Sequence, residues 1–244
     1  MSARTMGGPA VRVPLGAAPG VTAGIDVLRV DSWLQDGLVA RLRDLVDAAV
    51  GQPGFAGAAV LRGRGWDRAA IYSRWDLAYA RRGYAAHPAT AAILASITEV
   101  LTPDAAAMLH SPESSLYRLA LDDARHPGAV PALGPGEPPT FVNVFRTEPA
   151  RQARLLAATT AVLPVARGHR GYLTTALHTS LDGRRLANIA QYETFADMWR
   201  MYLHPRTALR FAGVGLSGGP AWRRGRLQLP ELHTYHCTHA VHLG

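Results

Sequence analysis

The chain repeats itself. Shifting the sequence by 117 positions lays residues 24–95 over residues 141–212 without a gap, and 16 of the 72 aligned residues are identical. The identities include Val27/Val144, Arg29/Arg146, Leu38/Leu155, Gly51/Gly168, Gly54/Gly171 and Arg68/Arg185. They also include His87-Pro88-x-Thr90-Ala91 over His204-Pro205-x-Thr207-Ala208. Several mismatches keep their chemical character, among them Phe55/Tyr172, Trp75/Tyr192, Asp76/Glu193 and Asp26/Asn143. A period this long marks tandem domains, because solenoid repeats run about 20–50 residues.

Composition sets the flanks of the two copies. Residues 1–21 are rich in Pro, Gly and Ala without periodicity and read as a flexible tail. Residues 122–139 are rich in Pro and Gly and read as a linker. The domains are then residues 22–121 and 140–244, each of a size that can hold its own core. With 48% apolar and 18% charged residues, a packed core is expected and wholesale disorder is not.

Each copy reads β-α-β-β-α-β. Residues 25–30 and 140–147 are short β-rich runs. Leu38, Leu42, Leu45, Val46 and Ala49 fall on one helical face, and Leu155, Val162, Leu163 and Ala166 answer them in the second copy. Gly51 and Gly168 are placed to end these helices, and Pro164 predicts a kinked or shortened second one. Residues 55–62 and 68–75 predict a hairpin, as do residues 172–180 and 185–193. Second helices begin near Asp76 and near Thr194, where Thr194-x-x-Asp197 resembles a capping box. The His-Pro pairs break them, and residues 115–121 and 232–241 form the last strands. This order is the ferredoxin-like split βαβ. The fold class is therefore α+β, with two tandem ferredoxin-like domains burying their bare sheet faces against each other, a dimeric α+β barrel within one chain.

Strand parity selects candidate site residues. Asn143 and Phe145 share a face of the first strand of the second copy. Leu186, Asn188, Ala190 and Tyr192 share a face of its third, and Tyr172, Thr174, Ala176 and His178 a face of its second. First and third strands are neighbours in this fold, so Asn143 and Asn188 face one space, with Tyr192 and His178 beside them. The alternatives are solvent-facing amides or a structural network. The same positions in the first copy hold Asp26, Leu61, Ile71 and Trp75, so the constellation belongs to the second copy.

The segments FVNVFRTEPARQARLLAA and GYLTTALHTSLDGRRLANIAQYET resemble the antibiotic biosynthesis monooxygenase family of dimeric α+β barrels. The likeness rests on the Asn-Val-Phe-Arg first strand, the Gly-Tyr after the helix, the His-x-Ser-x-Asp-Gly hairpin and the Asn-x-Ala-Gln-aromatic third strand. Residues 22–95 share it mainly through the repeat and Trp75-Asp76. The resemblance implies a monooxygenase that oxidises anthrone- or tetracenone-type aromatic polyketides to quinones in antibiotic biosynthesis, with O2 as co-substrate and no metal or flavin. It implies Asn143 and Asn188 as active-site amides, Tyr192 in the place of a usual Trp, and His178 as a pocket histidine. Amide N–H groups suit the stabilisation of a substrate oxyanion, and a His of near-neutral pKa suits proton removal. Phe145, Tyr172, Trp199 and Trp75 are the aromatic candidates for stacking on the substrate. The rival functions are a polyketide cyclase of the same fold and a non-catalytic polyphenol-binding accessory protein. Haem, a further family possibility, lacks a convincing axial His in both copies.

Other partners find less support. All 26 basic residues are Arg and give a net charge of +8, but they are scattered, with no basic tail or RNA-binding signature, so nucleic acid is not expected. The lone Cys237 excludes an intramolecular disulfide and a Cys-rich zinc site. His233, His236, His239 and His242 recur every third residue; on a strand this puts His233 and His239 on one side and His236 and His242 on the other, a poor clamp for a metal. No apolar run approaches the ~18 residues of a membrane span, and the first residues lack a secretory apolar core, so a cytoplasmic protein is expected. The paired copies predict an intrachain pseudo-dimer, as a monomer or a further homodimer.

Overall fold

The computed structural model describes residues 11–16, 20–76, 87–103 with 106, 116–126, 128–217, 222–223, 226–227 and 233–243. Its strands are β1 (Val13–Pro14), β2 (Val21–Arg29), β3 (Phe55–Gly63), β4 (Arg68–Asp76), β5 (Leu116–Ala124), β6 (Ala132–Leu133), β7 (Thr140–Arg146), β8 (Tyr172–Ser180), β9 (Arg185–Tyr192), β10 (Trp222–Arg223), β11 (Arg226–Leu227) and β12 (His233–His242). Its helices are α1 (Gln35–Ala49), α2 (Pro88–Thr98), α3 (Gln152–Thr160), α4 (Leu163–Arg167), α5 (Phe195–Leu203) and α6 (Pro205–Ser217). No helix among the described residues is long and apolar enough to cross a membrane.

The fold is α+β, built on a closed eight-stranded barrel in the order β12-β3-β4-β2-β5-β8-β9-β7. The repeat predicts a barrel of two sheets laid face to face within the chain; the strands form one continuous ring, joined across the two copies. The last strand of each copy makes the difference. β5 pairs with β2 at Ala23 and Gly24 only, then runs along β8 from Tyr117 to Ala124. β12 pairs with β7 over His233–Tyr235 and then with β3 from Tyr235 to His242. Each copy thus lends its last strand to the other, and closure gives each of the eight a paired neighbour on both sides.

Alternation sorts the side chains. Ile25, Ala59, Leu61, Ala70, Tyr72, Val142, Ala176, Ala187, Ile189 and Tyr235 fill the barrel. The opposite parity meets the helices outside. Leu38, Leu42, Leu45, Val46 and Ala49 of α1 pack on Leu28, Val60 and Ile71, as the spacing predicts. Each fully buried Leu of this kind contributes roughly 1.5–3 kcal/mol. Pro164 divides the helix of the second copy into α3 and α4, and Pro205 ends α5 and opens α6. The predicted cap is present: the Asp197 amide donates to Thr194 Oγ1. The first copy's second helix, predicted from Asp76, lies largely outside the described residues; Asp76 itself ends β4.

Equivalent contacts recur in both copies. Gln35 Nε2 donates to the Gly63 and Arg68 carbonyls at 2.7 and 2.8 Å, and Gln152 Nε2 to those of Ser180 and Arg185 at 3.0 and 2.9 Å. Phe55 meets Trp75 edge-on at 5.0 Å, as Tyr172 meets Tyr192 at 5.8 Å.

Two segments are more ordered than their composition predicts. Within residues 1–21, Val13 and Leu15 are fully buried in the barrel cluster, and β1 pairs with β6 from residues 122–139. Gln191 Nε2 holds β6 by the Ala132 carbonyl at 2.9 Å, and Arg12 pairs with Glu137 at 2.8 Å. Residues 122–124 are not linker but the end of β5, paired along β8. Proline and glycine excluded helix here, but not pairing with a distant partner.

Candidate active site

The β7–β9 ladder runs without a bulge and sets Asn143 directly opposite Asn188. Phe141 and Phe145 flank Asn143 on its face of β7, while Leu186, Ala190 and Tyr192 accompany Asn188 on β9; this is the helix-facing side of the sheet. The roof comes from Met198, Met201 and Tyr202 of α5, Phe211 and Val214 of α6 and Leu155 of α3. These apolar residues form two clusters, one around Tyr192 and Phe141, the other around Leu186 and Leu155. The asparagine pair occupies the strand positions between them.

Both amides are buried, and each leaves an atom unmet: Asn143 Nδ2 and Asn188 Oδ1 have no hydrogen-bond partner among the described residues. An unpaired buried polar atom costs roughly 1–3 kcal/mol. A donor and an acceptor therefore stand open on neighbouring strands, where two apolar side chains would pack at no such cost. Together they match a ligand edge that carries a carbonyl beside a hydroxyl.

Along the same face lies a network that the sequence pattern misses. The Tyr172 hydroxyl donates to Asp123 Oδ2 at 2.6 Å, and Arg167 Nε donates to the same oxygen at 2.8 Å while its Nη2 donates to Oδ1. Asp123 is almost wholly buried and arrives on β5, the strand lent by the first copy. The one signal for it was an acidic pair, Asp122-Asp123, closing a β-rich run. Burial pushes the Tyr172 phenol up to about 12, and raises Tyr192 further, so both are protonated donors at neutral pH. Gly171 lets the start of α5 approach β8: at φ +81°, a Cβ there would lie 2.5 Å from Asp197 Cβ.

Four predicted residues come together on this face: Asn143, Asn188, Tyr192 and Tyr172, with Phe145 at its edge. His178 does not join them. The alternation predicts that Tyr172 and His178 share a side, but a bulge between Tyr172 and Thr174 turns the rest of β8 over. His178 consequently points into the barrel, edge-on to Tyr72 at 5.8 Å, and neither ring nitrogen meets a side-chain partner among the described residues. Complete burial lowers its pKa from 6.5 to about 4, so it is neutral, and it lies on the opposite face of the sheet from the asparagines. Trp75 is buried under the helices of the first copy. Trp199 lies on the side of α5 away from Met198 and Met201 and is 43% exposed.

The C-terminal histidines form a strand, but not with the predicted faces. A bulge between Cys237 and His239 puts His239 opposite Val60 and His236 opposite Arg62, both on the outer side. His239 Nε2 meets Asp47 at 2.7 Å, and His236 stacks edge-on against Phe195 at 5.0 Å. Among the described residues no cluster of three or more His, Cys, Asp or Glu side chains is placed to hold a metal.

No family profile and no curated protein matches the sequence. Solved structures do resemble the fold. The crystal structure of an anthrone oxidase-like protein superposes with a TM-score of 0.69 at 17% identity, over 95% of this chain and 96% of that one. A protein from Fusobacterium nucleatum, provisionally assigned as a monooxygenase, superposes with a TM-score of 0.56 at 8% identity, over 92% of this chain and 95% of that one. At these identities the likeness establishes a shared fold.

Proposed function

We propose that the chain is a fused pair of ferredoxin-like units related to the antibiotic biosynthesis monooxygenases, and that its second unit oxidises an anthrone- or tetracenone-type polyketide ring to a quinone. O2 is the co-substrate, and neither metal nor flavin takes part. The carrying observation is the unmet donor and acceptor of Asn143 and Asn188, side by side on the buried helix-facing side of the sheet. The name of the anthrone oxidase-like neighbour supports the substrate class.

A polycyclic phenol with an acidic ring CH2 loses a proton in water to give an extended enolate. Asn143 Nδ2 donates to its keto oxygen, Asn188 Oδ1 accepts from the adjacent hydroxyl, and Tyr192 supplies a further donor. The carbanion reduces O2, a peroxide forms at the ring carbon, and loss of water leaves the new carbonyl. One oxygen atom ends in the quinone and the other in water. A preorganised donor at a developing oxyanion contributes roughly 3–4 kcal/mol. His178 takes no part, because it faces the barrel interior.

The test is incubation of metal-free protein with a small anthrone, with and without air, following O2 uptake and quinone absorbance. Quinone formation in air alone is expected, and Asn188→Ala, which leaves the substrate hydroxyl without its acceptor, lowers the rate up to about 100-fold. Normal O2 consumption by that variant rejects the assignment of Asn188. Tight binding without uptake identifies an accessory protein, and an anaerobic ring closure identifies a cyclase.

A further inference from the structure

We propose that the chain carries a second ligand site, an open cleft between the β3–β4 hairpin and the start of α5, which binds a planar aromatic carboxylate. Arg64 takes the carboxylate and the Trp199 indole takes the ring. This site is independent of the asparagine face, and the proposal stands whether or not that face oxidises anything.

The cleft has a volume of about 750 Å³ and brings together Arg64, Arg68, Phe195, Trp199 and His233. That volume lies within the usual span of small-molecule sites, roughly 300–1,000 Å³. Helix α5 divides its side chains. Met198, Met201 and Tyr202 are buried toward the sheet, whereas Phe195 and Trp199 line the cleft. Trp199 therefore offers an aromatic face to solvent and lies one turn beyond Phe195.

The cations differ in availability. Arg68 is buried, forks to both carboxylate oxygens of Asp67 and meets His233 Nε2, so its charge is already answered. Arg64 is exposed and makes no ion pair among the described residues. Its guanidinium rests 4.3 Å from the centre of the Phe195 ring, and Phe195 is braced from its edge by His236. Stacking orders the guanidinium without using its N–H edge, which suits bidentate carboxylate binding.

The arrangement is not a by-product of the repeat. The matching hairpin of the second copy has Leu181 and Asp182 where this one has Arg64 and Gly65. There the Asp182 carboxylate accepts from the Ser180 hydroxyl at 2.6 Å and from the Arg184 amide at 2.9 Å. One hairpin presents a stacked cation, the other a satisfied acid.

Calorimetric titration with 2-naphthoate at low ionic strength tests the site, with 2-naphthamide as the uncharged isostere. One equivalent of naphthoate is expected to bind, with the amide about fivefold weaker or more and added salt weakening the acid alone. Arg64→Gln and Trp199→Ala each weaken naphthoate about fivefold or more, and Arg64→Lys falls between wild type and Arg64→Gln. Both positions are exposed, and thermal melts establish that the variants fold. Equal binding of acid and amide, wild-type affinity in Arg64→Gln, or no binding at all overturns the proposal. Loss of binding in Asn188→Ile with retention in Arg64→Gln also overturns it, by assigning naphthoate to the buried face.

Discussion

Under its helices, the first copy is largely hydrocarbon around the buried Asp26 and Ser73; the second carries polar groups at further places. Leu28, Phe55, Val60, Ile71 and Trp75 join α1 in one cluster, with Val241 of the lent strand packed against it. In the second copy Ile71 becomes Asn188, Phe55 becomes Tyr172, and Asp123 on the lent strand stands at the register position of Val241. The backbone is repeated, as the paired glutamines Gln35 and Gln152 demonstrate. What differs is how much polarity each copy buries. A layer needed only for stability favours the first solution. Retaining unmet amide atoms in the second is costly unless something binds there.

The comparison can be broken by exchanging residues between the copies. The largest expected effect is on activity. Asn188→Ile, which copies Ile71, should lower anthrone oxidation up to about 100-fold, by leaving the substrate hydroxyl without an acceptor, while keeping the protein folded and at least as stable. An unchanged turnover number would remove the functional meaning of the difference.

His178 and its counterpart Leu61 give the next effect. The buried imidazole takes up a proton in the unfolded chain near pH 6.5 but in the folded one only near pH 4. Between these values the unfolded state binds the extra proton, so stability is full above about pH 6.5 and falls by about 3 kcal/mol as the pH drops to 4. Denaturant titrations across this range should record that slope, and His178→Leu should flatten its share. Equal slopes in both proteins would place the ring in contact with water.

Asp123→Val imitates Val241 and leaves the Tyr172 hydroxyl buried without its acceptor, at a cost of about 2 kcal/mol. Adding Tyr172→Phe, the counterpart of Phe55, should recover most of that loss. Additive losses in the double-mutant cycle would mean that the two side chains do not interact.

The smallest effect concerns the hairpin tips. Trp66 adopts φ +64°, whereas Gly183, its equivalent, adopts φ +75°. An L residue in this region costs roughly 1–2 kcal/mol, partly offset by the greater chain entropy that glycine loses on folding. Trp66→Gly should therefore raise stability by up to about 1 kcal/mol. Gly183→Ala should lower it by about as much, because its Cβ would lie 3.1 Å from Pro149 Cβ. A destabilised Trp66→Gly would assign the balance to the stacking of Arg62 on the Trp66 ring, 4.6 Å away.

Much of the candidate site was legible because β7 and β9 are regular. With no bulge, the alternation that pairs Asn143 with Asn188 and aligns Tyr192 beside them carries into three dimensions. It failed wherever one residue was slipped. The bulge after Tyr172 moved His178 to the opposite face, and the one after Cys237 regrouped the histidines. Asp123 was hidden for another reason. It sits in a stretch whose composition suggests a linker, and its role depends on a strand pairing across the two copies.

The repeat, the helical faces, the hairpins and the helix breaks at Pro164 and Pro205 were fixed by local chemistry: side-chain spacing and backbone restriction act over a few residues and remain visible in one dimension. The lending of β5 and β12, the burial of Val13 and Leu15, and the cleft beneath Trp199 were decided by the tertiary structure. They depend on which distant strand edges and apolar surfaces find each other, and a backbone hydrogen bond carries no mark in the sequence of the partner that it will take.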